Sequence, residues 1–170
     1  MKDITFAVIG SGFMGSILAR TASEVPYAKC VGAADIIMPR AKGLTDQLGG
    51  TAYEDFHEML EKENPQVVFI ATPEPDHLEP AIAAAKHGAQ IFLEKPMATS
   101  LQDADAIIKA CEETQVKLMI GYILRFEISY AMIQSAVAEG SIGNFMSAYA
   151  RRMATISEAR RLNGRVSPLT

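Results

Sequence analysis

Cysteine is scarce in this chain. Cys30 and Cys111 are the only two among 170 residues, too few for a disulfide framework or a cysteine-rich zinc site. Histidine occurs only at His57, His77 and His87, and no cluster of His, Asp or Glu has the spacing of metal ligands. No metal is therefore expected. No apolar run approaches the ~18 residues of a membrane span. Met1-Lys2-Asp3 passes directly into an apolar strand pattern, without a signal-peptide core. Positive charge is not in excess: 16 Lys and Arg stand against 20 Asp and Glu, a net charge of −4. That argues against a nucleic-acid binder working through bulk basicity. The Gly-x-Ser-x-Gly elbow of serine hydrolases is missing as well. A soluble, cytoplasmic protein with neither membrane nor nucleic acid as partner is expected.

What is present is an ordinary globular composition, 49% apolar and 21% charged, which excludes an intrinsically disordered chain. Short apolar runs alternate with amphipathic stretches. Strands are expected at 4–9, 28–34, 66–71, 90–93, 117–120 and 144–153. Helices are expected from Met14 to about Glu24, then at 40–48, 54–62, 76–87, from a Ser100 cap onward, and at 126–138. Strands alternating with helices of ~10–15 residues mean βαβ units and a parallel sheet covered by helices. The fold class is α/β, a Rossmann-type doubly wound sheet. In the last helix Ile128, Met132, Ile133, Ala136 and Val137 are expected to face inward.

Gly10-Ser11-Gly12-Phe13-Met14-Gly15 is G-x-G-x-x-G between an expected strand and an expected helix, the context this motif requires. Gly10 allows a tight turn, Gly12 lets the backbone approach a pyrophosphate, and Gly15 lets the helix pack on the strand. The N–H groups at the helix start, from Phe13 and Met14, favour phosphate. Asp35 closes the second strand, 25 positions after Gly10, where an acidic residue binds the adenosine ribose hydroxyls. A carboxylate there repels a 2′-phosphate, so NAD is expected over NADP. Arg40 nearby is either a receptor for that phosphate or merely the start of the second helix.

Two further segments follow strands at the edge where open α/β sheets bind ligands: Thr72-Pro73-Glu74-Pro75-Asp76-His77 and Glu94-Lys95-Pro96. The first resembles the T-P-N-x-x-H segment of the Gfo/Idh/MocA oxidoreductases, with Glu74 where Asn is usual. The second resembles that family's E-K-P. The stretch 85–92, Gly121-Tyr122-Ile123-Leu124-Arg125-Phe126 and Glu139-Gly140-Ser141-Ile142-Gly143 resemble further family segments, in the same order along the chain.

The resemblance implies an N-terminal NAD(P) domain over 1–122 and a second α/β domain beginning at 123–170 with a connecting helix and its first strand. It implies hydride transfer between the nicotinamide and a hydroxyl-bearing carbon of a sugar, cyclitol or related polyol. Lys95 is then the catalytic lysine, able to polarise the reacting hydroxyl and share its proton transfer. Gly10, Gly12, Phe13, Met14, Gly15, Asp35, Thr72, Pro73, His77, Glu94 and Lys95 are the expected cofactor residues. For His77 a packing or capping role stays open. At Pro96 a cis bond is admissible, since X-Pro tolerates it.

Family members run to roughly twice this length, and their second-domain histidine has no counterpart here, because no histidine follows His87. The chain is therefore expected to be truncated and to turn over little by itself; the full-length form is expected to be a homo-oligomer. Two alternatives remain: a dinucleotide sensor, to which Lys95 would be superfluous, and a family lyase or hydrolase using NAD transiently. His57 and His87 are expected at the surface, and both cysteines as buried thiols. The final twenty residues hold Arg151, Arg152, Arg160, Arg161 and Arg165 against Glu158 alone. They read as a strand and loop facing solvent or an anionic substrate, or as a disordered remnant. A nucleic-acid site is disfavoured because no aromatics interleave with the arginines.

Overall fold

In a computed structural model, residues 3–151 and 153 are described. The chain divides after Ile123 into two units. The first holds six strands: β1 (Ile4–Ile9), β2 (Ala28–Ala34), β3 (Thr51–Tyr53), β4 (Val67–Ile70), β5 (Gln90–Leu93) and β6 (Leu118–Ile120). Five helices accompany them: α1 (Phe13–Ser23), α2 (Met38–Leu48), α3 (Phe56–Glu63), α4 (Leu78–Lys86) and α5 (Leu101–Thr114). All pairings are parallel, in the order β3-β2-β1-β4-β5-β6. This is the doubly wound arrangement, whose order reverses between β1 and β4.

The two-residue period of a strand distributes the core over both sheet faces. In β1, Phe6 and Val8 pack with Ala19 of α1 and with Ala41 and Leu44 of α2. Ala7 and Ile9 pack with Met59 and Leu60 of α3, Ala81 of α4 and Ile107 of α5 on the other side. Strand β4 does the same: Val68 and Ile70 are fully buried on one face, while Val67 and Phe69 pack on the other. Each fully buried Leu or Ile contributes about 1.5–3 kcal/mol of apolar transfer. Helix ends follow local chemistry. The Asp55 carboxylate accepts the His57 N–H at 2.8 Å to open α3, and the Ser100 hydroxyl accepts the Asp103 N–H at 3.1 Å to open α5, as expected of Ser100.

Four elements differ from expectation. Strand β3 follows Gly49-Gly50 and is only three residues long, so it carries no periodic signal. It exists through its ladder to β2, with Gly32 opposite Thr51 and Ala34 opposite Tyr53. The expected helix at 76–87 is split. A 3-10 turn occupies Glu74–Asp76 and α4 starts at Leu78, with Pro75 inside the turn. In the second unit α6 (Ile128–Ala138) forms, capped by the Glu127 carboxylate, which accepts the Tyr130 N–H. Its apolar face is not inward, however: no residue of α6 is buried, and Ile128 is 74% exposed. The expected strand at 144–153 is likewise not formed among the described residues. A strand needs a neighbour for its ladder, and none pairs with it there. Arg152 and the arginines at 160, 161 and 165 lie outside the described residues. No helix among the described residues is long and apolar enough to cross a membrane.

Candidate functional site

The carboxyl ends of β1, β4 and β5 converge on the switch point. Their loops carry the glycines, Thr72, and Glu94-Lys95. Gly10 has φ +88°, and a Cβ on it would stand 2.7 Å from the backbone of Ala71 and Thr72. The loop after β1 is thus pressed against the loop after β4, which only a glycine permits. A Cβ on Gly15 would come within 1.9 Å of the Gly10 carbonyl oxygen and 3.2 Å of Val8 Cγ1, which closes α1 onto its strand. Around Gly12 the situation is reversed. A Cβ there would meet nothing within 4 Å, so the position opens onto free space. Helix α1 begins at Phe13, with Gly12 at its N-cap and no side chain capping it. The first-turn N–H groups, those of Phe13 and Met14 included, have no partner inside the helix. Phe13 is 74% exposed, so its contribution to a ligand comes from its backbone and an uncovered ring.

Asp35 does more than the spacing implied. Its Oδ2 accepts the Ser11 N–H at 2.9 Å and its Oδ1 accepts the Ile37 N–H at 2.8 Å. The carboxylate therefore ties the glycine loop to the end of β2, and each oxygen keeps lone-pair capacity for a further donor. Ser11 is 4% exposed, and its carbonyl accepts the Ser16 hydroxyl at 3.1 Å. Sequence reasoning overlooked both serines. The Ser-x-x-x-x-Ser spacing across a helix start was the available signal. Arg40 lies exposed in the first turn of α2.

At the β5 end, Glu94 is 5% exposed. Its Oε2 accepts the Lys95 N–H at 3.1 Å, while its Oε1 is buried without a hydrogen-bond partner. A buried carboxylate oxygen left bare costs ~1–3 kcal/mol or more, a cost that a hydroxyl from a bound molecule would offset. Gly121 lies beside it: a Cβ there would be 3.3 Å from Oε1 and 3.1 Å from the Phe92 ring. The Lys95 residue is exposed, and among the described residues its ammonium forms no ion pair. The Lys95–Pro96 bond is cis.

At the β4 end, the Thr72 hydroxyl donates to the Asp76 carbonyl at 3.0 Å, and Pro73 leads into the 3-10 turn. At His77 the geometry is that of the packing role left open by the sequence. It is 1% exposed, and its two ring nitrogens face the carbonyl oxygens of Pro96 and Thr72 at 2.9 and 3.1 Å. Each polar atom of the ring thus lies against a backbone carbonyl. His57 and His87 are exposed, the former against Glu79. Both thiols are buried, and burial pushes each above the ordinary cysteine range. No group of three potential metal ligands occurs among the described residues.

Residues 4–122 match the Gfo/Idh/MocA family model, described as an oxidoreductase family with an NAD-binding Rossmann fold. The chain belongs to the Gfo/Idh/MocA oxidoreductase family. Among curated relatives, it is 36% identical over 143 residues to the scyllo-inositol 2-dehydrogenase (NAD(+)) of Bacillus subtilis, covering 83% of this chain and 42% of that protein. It is 30% identical over 152 residues to a 2,7-anhydro-N-acetylneuraminate hydratase of Mediterraneibacter gnavus, covering 89% of this chain and 40% of that protein. A scyllo-inositol dehydrogenase of Lactobacillus casei, solved with NAD(H) and scyllo-inositol, superposes with a TM-score of 0.79 at 26% identity, covering 84% of this chain and 43% of that one. This Gfo/Idh/MocA chain thus spans about 40% of the length of the relatives it matches. The glycine loop, Asp35 and Glu94-Lys95 all fall within the matched residues.

Proposed function

We propose that this chain is the cofactor-binding part of an NAD-dependent oxidoreductase acting on a polyhydroxylated small molecule, a sugar, cyclitol or related polyol. The observation that carries this reading is the pairing of Glu94 and Lys95 at the mouth of the crevice. A buried carboxylate with a partnerless oxygen stands next to an exposed, unpaired ammonium, with one strand, β4, between their strand and that of the glycine loop. The adenosine ribose would meet Asp35. The pyrophosphate would lie over Gly12 and the first-turn N–H groups of Phe13 and Met14, with Gly10 and Gly15 shaping the loop around it. Thr72 and Pro73 would border the far half, and Glu94 Oε1 would accept a hydroxyl there. Bound NAD supplies a hydride acceptor. Lys95 would polarise the substrate hydroxyl and share in its proton transfer.

Asp35 supports NAD over NADP, since its charge opposes a 2′-phosphate. Arg40, being exposed, is the residue that would weaken that preference. The test uses the complete protein with NAD and a panel of inositols and sugars, following NADH formation. Lys95→Ala should lower kcat by about 10²–10⁴-fold, with a much smaller effect on NADH affinity. Equal turnover by the variant would overturn the role.

The resemblance to a hydratase, at 30% identity, favours one second reading, in which the cofactor is reduced and reoxidised within each cycle. Net NADH accumulation separates the two: it accompanies turnover in a dehydrogenase and is missing in the second case.

A further inference from the structure

His77 is a buried polar side chain that the scheme above leaves without a part. It joins two loops that are far apart in sequence and adjacent in space. Its Nε2 faces the Thr72 carbonyl oxygen, in the loop after β4, and its Nδ1 faces the Pro96 carbonyl oxygen, in the loop after β5. Carbonyls only accept, so each contact is a hydrogen bond when the facing ring nitrogen carries a proton. The contact with Pro96 has no substitute. The sheet ladder ends with the Glu94 N–H donating to the Ile70 carbonyl at 2.9 Å, and the Lys95 N–H turns back onto its neighbour Glu94. Among the described residues, the His77–Pro96 contact is the one place where a hydrogen bond can tie the 95–99 segment to a distant part of the chain.

We propose that His77 is a positioning residue: its bond to the Pro96 carbonyl holds the Lys95 loop at the nicotinamide end of the crevice. Its ring touches neither cofactor nor substrate. The inference rests on the dinucleotide reading above for the identity of the ligand. It goes beyond that reading in assigning an indirect role to a residue remote from the reacting atoms.

Two isosteres separate the two contacts. The amide nitrogen of Asn overlays the histidine Nδ1, and that of Gln overlays Nε2. His77→Asn thus keeps a donor toward Pro96, and His77→Gln keeps one toward Thr72. Each variant is titrated with NADH and with ADP, which reaches only the glycine loop and Asp35. Loss of one buried hydrogen bond corresponds to about 5- to 10-fold. His77→Gln should weaken NADH by that factor, leave ADP within about twofold, and speed amide exchange at Lys95 and Met97. His77→Asn should stay near the native chain on all three readouts.

Equal weakening of NADH by both variants, with ADP kept, would mean that the ring itself meets the cofactor, and would overturn the proposal. Parallel losses for NADH and ADP would mean a general structural role, and would also overturn it. So would unchanged NADH affinity and exchange in both. A native-chain experiment needs no variant: a slowly exchanging Nδ1 proton on His77 in ¹⁵N-edited spectra is expected, and a rapidly exchanging or missing one contradicts the bond. Failure of native ADP and NADH binding would refute the dinucleotide reading, while the exchange and ¹⁵N measurements would still decide the tie.

Discussion

The two sides of the crevice are built from different materials. On the β1–β2 side, recognition rests on backbone and on side chains left out. Gly10 and Gly15 are glycines because a Cβ would strike backbone at 2.7 and 1.9 Å, and Gly12 opens onto empty space. On the β4–β5 side, recognition rests on side chains carried by loops that leave the sheet. These are Glu94 with its bare oxygen, the unpaired Lys95, and the His77 clamp that joins their loop to Thr72. The first side is stiff by steric necessity and holds the phosphates, with Asp35 tied to it at the ribose end. The second is adjustable, and holds the groups that would do chemistry. Binding and turnover should therefore separate by side.

The strongest break is expected at Gly15. In Gly15→Ala the new Cβ must displace the Gly10 carbonyl. We expect ~2–3 kcal/mol of lost stability in denaturant melts, with NADH binding lost alongside. Gly12→Val sharpens the contrast: its Cβ would meet no protein atom within 4 Å, so the melt should stay close to native. NADH affinity should still fall on the order of 100-fold, because the branched side chain takes the pyrophosphate's space. An unchanged affinity would remove Gly12 from the site.

Asp35→Ala acts on two properties of the same side. It removes the charge that opposes a 2′-phosphate, and it frees the Ser11 and Ile37 N–H groups. NADH affinity should fall about tenfold, NADPH affinity much less, and the gap between them should narrow in parallel fluorescence titrations. A preserved gap would assign the discrimination elsewhere.

The smallest effect is expected away from both sides. Burial raises the pKa of Cys30 and Cys111, so both stay thiols in the folded state. Thiol reagents should modify them at least about tenfold more slowly than in urea, with or without NADH. The linkage sign follows from the raised values. Their contribution to stability is intact below the unfolded-state thiol pKa and declines as pH rises from there toward the folded-state value.

The glycine side was legible in the sequence because steric demands leave few residue choices. G-x-G-x-x-G after an apolar strand names its own geometry, and Asp35 follows at a fixed distance. The strands β1, β2 and β5 were readable to the residue, since buried parallel strands are short apolar runs. The loop side was legible in residue identity but not in contact. Glu94-Lys95-Pro96 and Thr72-Pro73 were recognisable as motifs. That His77 turns both nitrogens onto backbone depends on how two loops 19 residues apart approach each other, which no local pattern encodes. Strand β3 was missed for a related reason, since three residues become a strand only beside β2. The inward face assigned to α6 failed because apolar spacing states what a helix can bury, not whether a partner stands there. Helix α5, with similar spacing, buries Ile107 and Cys111 against the sheet.

Calorimetric titration of the native chain with NADH and with NADPH tests the central claim most directly. Saturable binding of NADH at one site, tighter than that of NADPH, is the predicted result. No binding of either dinucleotide, or NADPH bound as tightly as NADH, would contradict it.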